Sequence, residues 1–125
     1  MNIAKVAEQF DLTSATLRYY EQVGLIPPVN RKESGVRDYT EEDIKWIEFI
    51  KCMRSAGLTI EALIEYTSLF IEGDRTIEAR KKILTNEREK LVKKKMEIDE
   101  TIKRLDWKIN DYDGKLLASE ASLKI

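Results

Sequence analysis

The chain has 125 residues, 36% of them charged and 8% aromatic, with a formal net charge of −1. It contains no histidine and a single cysteine, Cys52, which excludes an imidazole acid or base, an intrachain disulfide and a thiolate metal cluster, so no metal and no cofactor is expected. No apolar run is long enough to span a bilayer and no charged-then-apolar leader follows Met1, which gives an expectation of a cytoplasmic protein with no membrane partner.

Near-neutral charge also counts against a binder that relies on overall basicity, so any hold on nucleic acid has to come from local placement. A domain of about 70 residues followed by an extended helix accounts for the length, and so small a core leads to an expectation of oligomerisation.

Ile3, Val6, Ala7 and Phe10 recur at i, i+3, i+4 and i+7, the spacing of a short amphipathic helix. Asp11-Leu12-Thr13 reads as a tight turn, with Thr13 the N-cap of a second helix that runs to about Val23 and is ended by Gly24. Two short helices joined by a tight turn, the second carrying polar and basic residues, match a helix-turn-helix pattern. The second helix holds Leu17-Arg-Tyr-Tyr-Glu21, which sets Arg18 beside two phenols on an exposed face. That grouping suits a surface that grips phosphate and reads base edges. The plainer alternative is an ion pair between Arg18 and Glu21, worth only about 0.2–0.5 kcal/mol when exposed. Tyr19 is expected to aim its hydroxyl at phosphate, while Tyr20 shares a face with Leu17 and is partly core. Ser14 and Thr16 stand in the first turn, where backbone N–H groups and hydroxyls meet phosphate, or else are simply solvated.

Pro27-Pro28 forbids helix continuation. Glu33-Ser34-Gly35 is a turn signal flanked by Val29 and Val36, and predicts a small two-stranded hairpin, or wing, presenting Arg31, Lys32 and Arg37. A solvated hairpin tip would look the same. Thr40 and Asp43 form the pattern of a capping box and start a third helix. Its two apolar stripes, Ile44-Ile47-Ile50 and Trp46-Phe49-Met53, predict burial on two sides. Thr59 is expected to cap a fourth helix with Leu63, Tyr66, Leu69 and Phe70 at core-like spacing, and Gly73-Asp74 is the next break.

From Thr76 to about Tyr112 there is neither glycine nor proline. Ile77, Leu84, Leu91, Ile98, Leu105 and Tyr112 fall every seventh residue, a sustained heptad position d. The matching a positions are Lys81, Arg88, Lys95, Ile102 and Ile109, so the seam is apolar at both positions only in its C-terminal half. A parallel dimer would stack the basic residues on their own copies. An antiparallel one lays the basic half of one helix beside the apolar half of the other, with lysine stems running over it, and is the expected arrangement. The dimerisation surface is then Ile77, Leu84, Leu91, Ile98, Ile102, Leu105 and Ile109. The tail from Gly114 to Ile125 is weakly patterned.

Ile3-Ala-Lys-Val-Ala7, Thr16-Leu-Arg-Tyr-Tyr-Glu21, Gly24-Leu-Ile-Pro27, Arg37-Asp-Tyr39, Asp43-Ile44 and Gly57-Leu-Thr-Ile-Glu61 occur in an order and spacing that resembles the MerR family of bacterial transcriptional regulators over roughly the first 70 residues. The resemblance implies a mainly α protein: a winged helix-turn-helix DNA-binding domain at 1–72, an antiparallel coiled-coil dimerisation helix at 73–112 and a short tail at 113–125. It implies a homodimer on a pseudo-palindromic operator in double-stranded promoter DNA, which distorts that DNA so that RNA polymerase meets aligned promoter boxes. Arg37 and Tyr39 match wing-end positions that grip backbone in the family, and Arg54 lies before the turn that forms the family's second wing.

Cys52 has two readings. Between Phe49 and Met53 it reads as a small buried apolar residue. Lys51 and Arg54 nearby would instead stabilise a reactive thiolate. Within the family, a single cysteine in this helix, a short tail and the stretches Lys51-Cys-Met-Arg-Ser-Ala-Gly-Leu58 and Leu69-Phe-Ile-Glu-Gly-Asp74 resemble the branch responding to aldehydes and related carbonyl stress. That favours a sensor modified by a small electrophile. The metal sensors' cysteines and the drug sensors' large ligand domain have no counterpart here. Two alternatives stand beside this: a regulator of the same family without thiol sensing, and a coiled-coil interaction module whose N-terminal helices bind protein. With no histidine, paired carboxylates or glycine-rich phosphate loop, an enzyme is not expected.

Overall fold

The computed structural model describes residues 1–112; the predicted tail, 113–125, lies outside the described residues. The elements in order are α1 (Ile3–Gln9), α2 (Ser14–Gln22), α3 (Glu41–Ser55), α4 (Ile60–Glu72), a 3₁₀ turn (Asp74–Thr76) and α5 (Ile77–Asn110). The chain divides into two compact units, Met1–Glu87 and Arg88–Ile125, so the division falls within α5. Among the described residues no helix is long and apolar enough to cross a membrane.

Short polar side chains decide where the helices start. Thr13 Oγ1 accepts the Thr16 N–H at 3.0 Å, and Thr59 Oγ1 accepts that of Ala62 at 3.2 Å. The expected capping box of α3 is formed: Thr40 N–H donates to Asp43 Oδ2 at 2.8 Å and Asp43 N–H returns to Thr40 Oγ1 at 3.3 Å. Asn2 caps α1 through the Lys5 N–H at 2.9 Å, a cap the periodicity of α1 does not announce. Each such cap contributes about 1 kcal/mol. Gly24 ends α2 at φ +87°, with the Leu25 N–H bonded to the Tyr20 carbonyl at 2.8 Å. A side chain at that φ would be strained, which is why glycine stands there.

The core of the first unit gathers Val6, Ala7, Leu17, Tyr20, Leu25, Ile26, Val29, Tyr39, Ile47, Ile50, Leu58 and Leu63, all buried. Full burial of one such aliphatic side chain stabilises by about 1.5–3 kcal/mol. Two expectations are corrected. On α3, only Ile47 and Ile50 are fully buried; Trp46, Phe49 and Met53 are half-exposed, so the helix is buried on one side. On α4, Phe70 is exposed and Tyr66 and Leu69 only partly buried, whereas Thr67 is completely enclosed beside Leu63. The reason is a hydrogen bond: Thr67 Oγ1 donates to the Leu25 carbonyl at 2.8 Å, so its polar atom enters the core satisfied. The displaced aromatics pack on one another, with Trp46 and Phe70 edge to face at 4.9 Å between centroids.

The wing is smaller than a named strand pair. It holds one antiparallel bridge, Arg31 to Arg37, supported by Lys32 N–H to Val36 O and Asp38 N–H to Asn30 O, both at 2.8 Å. The N-terminal ammonium donates to Asp38 Oδ1 at 2.9 Å and to the Tyr39 carbonyl at 3.0 Å, fixing the base of the hairpin to the start of α1.

α5 runs over almost the span expected from its heptads. Leu84 and Leu91 are partly covered, while Ile77, Ile98, Ile102, Leu105, Ile109 and Tyr112 are exposed in the single chain. Within the first unit Glu87 of α5 is buried, and its Oε1 accepts both the N–H and the hydroxyl of Thr59 at 3.0 Å.

Candidate nucleic-acid interface

Helix α2 starts at the β-region N-cap Thr13 and buries Leu17 and Tyr20, which leaves residues 18 and 19 together on the outer face. Arg18 is exposed, and Tyr19 beside it is 44% exposed. Leu17 and Tyr20, on the opposite face, are buried. Tyr20 is therefore removed from the expected contact surface: at 7% exposure its ring is a core element. Burial raises the pKa of its phenol, with Arg54 acting in the other direction. Ser14 and Thr16 are half-buried in the first turn. The Thr16 hydroxyl lies 2.9 Å from that of Thr13 and so has a local partner.

The proposed alternative partner for Arg18 is taken. Glu21 Oε1 accepts Arg37 Nε–H at 2.7 Å, and Oε2 accepts the Val29 N–H at 2.9 Å. Burial opposes the charged carboxylate, but the hydrogen bonds from Arg37 and Val29 outweigh it and hold Glu21 below the usual carboxylate range. Arg37 is consequently half-buried and tied inward rather than projecting freely. This pairing across sixteen residues was not legible in the sequence, because no local spacing links Glu21 to Arg37.

Arg31 and Lys32 are exposed on the hairpin. Arg31 Nη1 donates to the Gly35 carbonyl at 2.8 Å, closing the tip. Tyr39, expected on the contact surface, is only 3% exposed, and its hydroxyl is enclosed without a hydrogen-bond partner. Burial raises its pKa, with the nearby Arg37 opposing. Its ring belongs to the core because the chain turns inward at the end of the hairpin, where the Tyr39 N–H bonds the Met1 carbonyl at 2.8 Å. Arg54 is exposed in the last turn of α3, and its Nη1 donates to the Leu58 carbonyl at 2.7 Å across the turn that joins α3 to α4.

Cys52 is a free, exposed cysteine, which overturns its reading as a small buried apolar residue. The buried positions of α3 are Asp43, Ile47 and Ile50, and Cys52 stands on another face. Its two cationic neighbours are engaged elsewhere: Lys51 Nζ donates to the Phe10 carbonyl and Arg54 to that of Leu58. The expected thiolate-stabilising role for these cations is therefore not realised in their hydrogen bonding.

Arg18, Tyr19, Arg31, Lys32 and Arg54 are thus exposed, while Tyr20 and Tyr39 are buried and Glu21 is largely enclosed. Guanidinium forks and an exposed phenol can donate to phosphate oxygens and base acceptors.

Comparison with known proteins places these features in context. Residues 1–69 match the family model described as "MerR HTH family regulatory protein". The chain is 78% identical over 92 residues to the HTH-type transcriptional regulator AdhR of Bacillus subtilis (strain 168), an alignment covering 74% of this chain and 66%, just under two thirds, of AdhR. It is 37% identical to the regulator YyaN of the same organism, over 89% of each chain. Among solved structures, a MerR-family transcriptional regulator from Listeria monocytogenes superposes with a TM-score of 0.88 at 46% identity, covering 98% of this chain and 93% of that one. HiNmlR, a MerR-family regulator lacking the sensor domain and solved bound to promoter DNA, gives a TM-score of 0.78 at 29% identity over 90% and 89% of the two chains.

Proposed function

From the premise that this chain belongs to the MerR helix-turn-helix family of transcriptional regulators, we propose that it is a cytoplasmic homodimer that grips double-stranded promoter DNA and distorts it for RNA polymerase. The observation that carries this reading is the joint exposure of Arg18 and Tyr19 on α2, flanked by Arg31 and Lys32. In functional terms residues 1–72 form the DNA-binding part, 73–112 the dimerisation helix and 113–125 a tail. Arg18 meets the groove edge, Tyr19 a phosphate through its hydroxyl, Ser14 and Thr16 the phosphates at the start of α2, Arg31 and Lys32 those under the wing, and Arg54 a further phosphate. The row Ile77, Leu84, Leu91, Ile98, Ile102, Leu105 and Ile109 pairs with a second copy in antiparallel register.

A duplex taken from the promoter upstream of the chain's own gene tests this. Arg18, Arg31, Lys32 and Arg54 from two protomers would neutralise several phosphates, so affinity should fall by about 10³-fold or more between ~50 and ~200 mM salt. Binding that ignores salt, or no binding, would instead favour a coiled-coil module for protein partners.

The trigger in this reading is a small electrophile such as an aldehyde at Cys52. The sulfur adds to the carbonyl carbon, the carbonyl π bond breaks and the thiol proton ends on the oxygen, giving a hemithioacetal. Exposure of Cys52 supports this part, together with the single-cysteine pattern. Cys52→Ser should abolish an aldehyde-dependent rise in promoter activity while leaving duplex affinity unchanged. If the rise persists in Cys52→Ser, the thiol is not the sensor. A regulator without thiol sensing is then the reading to keep; the engagement of Lys51 and Arg54 on backbone carbonyls speaks for it.

A further inference from the structure

A carboxylate on a phosphate-gripping face is an electrostatic liability, yet Glu21 sits at the end of α2 beside Arg18, Arg31 and Arg37. Its two oxygens go to two different segments. Oε2 receives the Val29 N–H on the outgoing side of the hairpin, and Oε1 receives Arg37 Nε–H on the returning side. Both side chains of the ion pair are largely enclosed, 15% exposed for Glu21 and 20% for Arg37. The hairpin itself has one bridge, and an isolated two-stranded hairpin is marginal at best in water. Glu21 therefore joins both sides of the wing to the helix that carries Arg18 and Tyr19, while cancelling the charge of Arg37.

We infer that Glu21 is a specificity-determining positioning residue: it fixes the offset between α2 and the wing, so that base contacts and wing phosphate contacts are made together only on a cognate duplex. This rests on the DNA-binding reading above. Base contacts carry sequence information and phosphate contacts carry register; a wing free to shift relative to α2 keeps its attraction to any duplex but loses the coincidence of the two. Freeing Arg37 adds a cation to that same face, which strengthens the sequence-independent part.

The test uses the full chain, a promoter duplex from upstream of its gene and a scrambled duplex of equal length and composition. In Glu21→Gln the shape is kept and the charge lost. Promoter affinity should weaken about tenfold, on the scale of losing a hydrogen bond to a charged group. Affinity for the scrambled duplex should hold or rise, with its salt slope steeper by about one unit for the freed cation. The ratio of the two affinities is the decisive readout, because loss of folded protein scales both constants equally and leaves their ratio fixed. Arg37→Gln supplies the second arm: it releases the wing and leaves the Glu21 carboxylate facing phosphate, so both duplexes should be bound more weakly. A promoter-to-scrambled ratio in Glu21→Gln equal to wild type overturns the inference while the DNA-binding reading stands. A wild-type chain that binds neither duplex, or both equally, overturns both.

Discussion

Leu105→Lys should turn the protein into a monomer and weaken promoter binding by about 10²–10⁴-fold, the range over which linking two sites raises avidity. Leu105 is 54% exposed in the single chain, and lysine is a good helix former, so the substitution costs the isolated helix little. In the proposed antiparallel pairing the same position lies in the apolar half of the seam, against the basic half of the second copy. There an added ammonium meets like charges and removes the apolar surface that their stems would cover, so the helices are pushed apart. Sedimentation equilibrium checks the first part and duplex titration the second. A dimeric Leu105→Lys protein would refute the assigned seam, and a monomeric one that binds the promoter as tightly as wild type would refute the need for two copies.

Arg18→Ala should weaken promoter binding by about 1–3 kcal/mol, roughly 5- to 150-fold, if its fork makes a bidentate contact. Arg18 is exposed and the adjacent acid, Glu21, is committed to Arg37 and Val29, so removing it releases no buried partner and leaves the fold intact. Arg18→Lys separates two kinds of contact: an ammonium keeps the phosphate attraction but cannot reproduce the planar fork. Sequence discrimination that survives in Arg18→Lys would make Arg18 a phosphate contact. Unchanged affinity in Arg18→Ala would remove it from the interface. Isothermal titration with both duplexes at one fixed salt concentration gives these numbers.

What could be read in the sequence was what is decided locally. Thr13, Thr40 with Asp43, and Thr59 cap their helices as their spacing announced, because a cap is settled within four residues. Gly24 and the glycine-free, proline-free run of α5 were legible for the same reason. What failed was the choice of face. Tyr19 and Tyr20 are adjacent and chemically identical, and only the tertiary partners of α2 decide that Tyr20 goes inward. Thr67 displaced the expected aromatic stripe of α4 because the Leu25 carbonyl, 42 residues away, satisfies its hydroxyl. The buried-apolar reading of Cys52 fell with the expectation that α3 has two buried faces. At the candidate interface the exposed cations Arg18, Arg31, Lys32 and Arg54 stand where the motifs put them. Arg37 and Tyr39 are drawn inward by the Glu21 clamp and by the backbone bond to Met1, long-range contacts that no short motif encodes.

The candidate DNA-binding surface belongs to the first unit, where side chains tie Glu21 to the wing, Arg54 to the turn at Leu58, and Glu87 to Thr59 next to that turn. The electrophile part stands on Cys52 alone and can fall without disturbing the rest.

The mass of the protein–duplex complex at equilibrium is the most direct measurement. Two chains on each promoter duplex, with no stable species carrying one chain, is the result that follows from a pair of α2 helices engaging a single operator. A complex that saturates at one chain per duplex, or no complex at dilute salt, would contradict it.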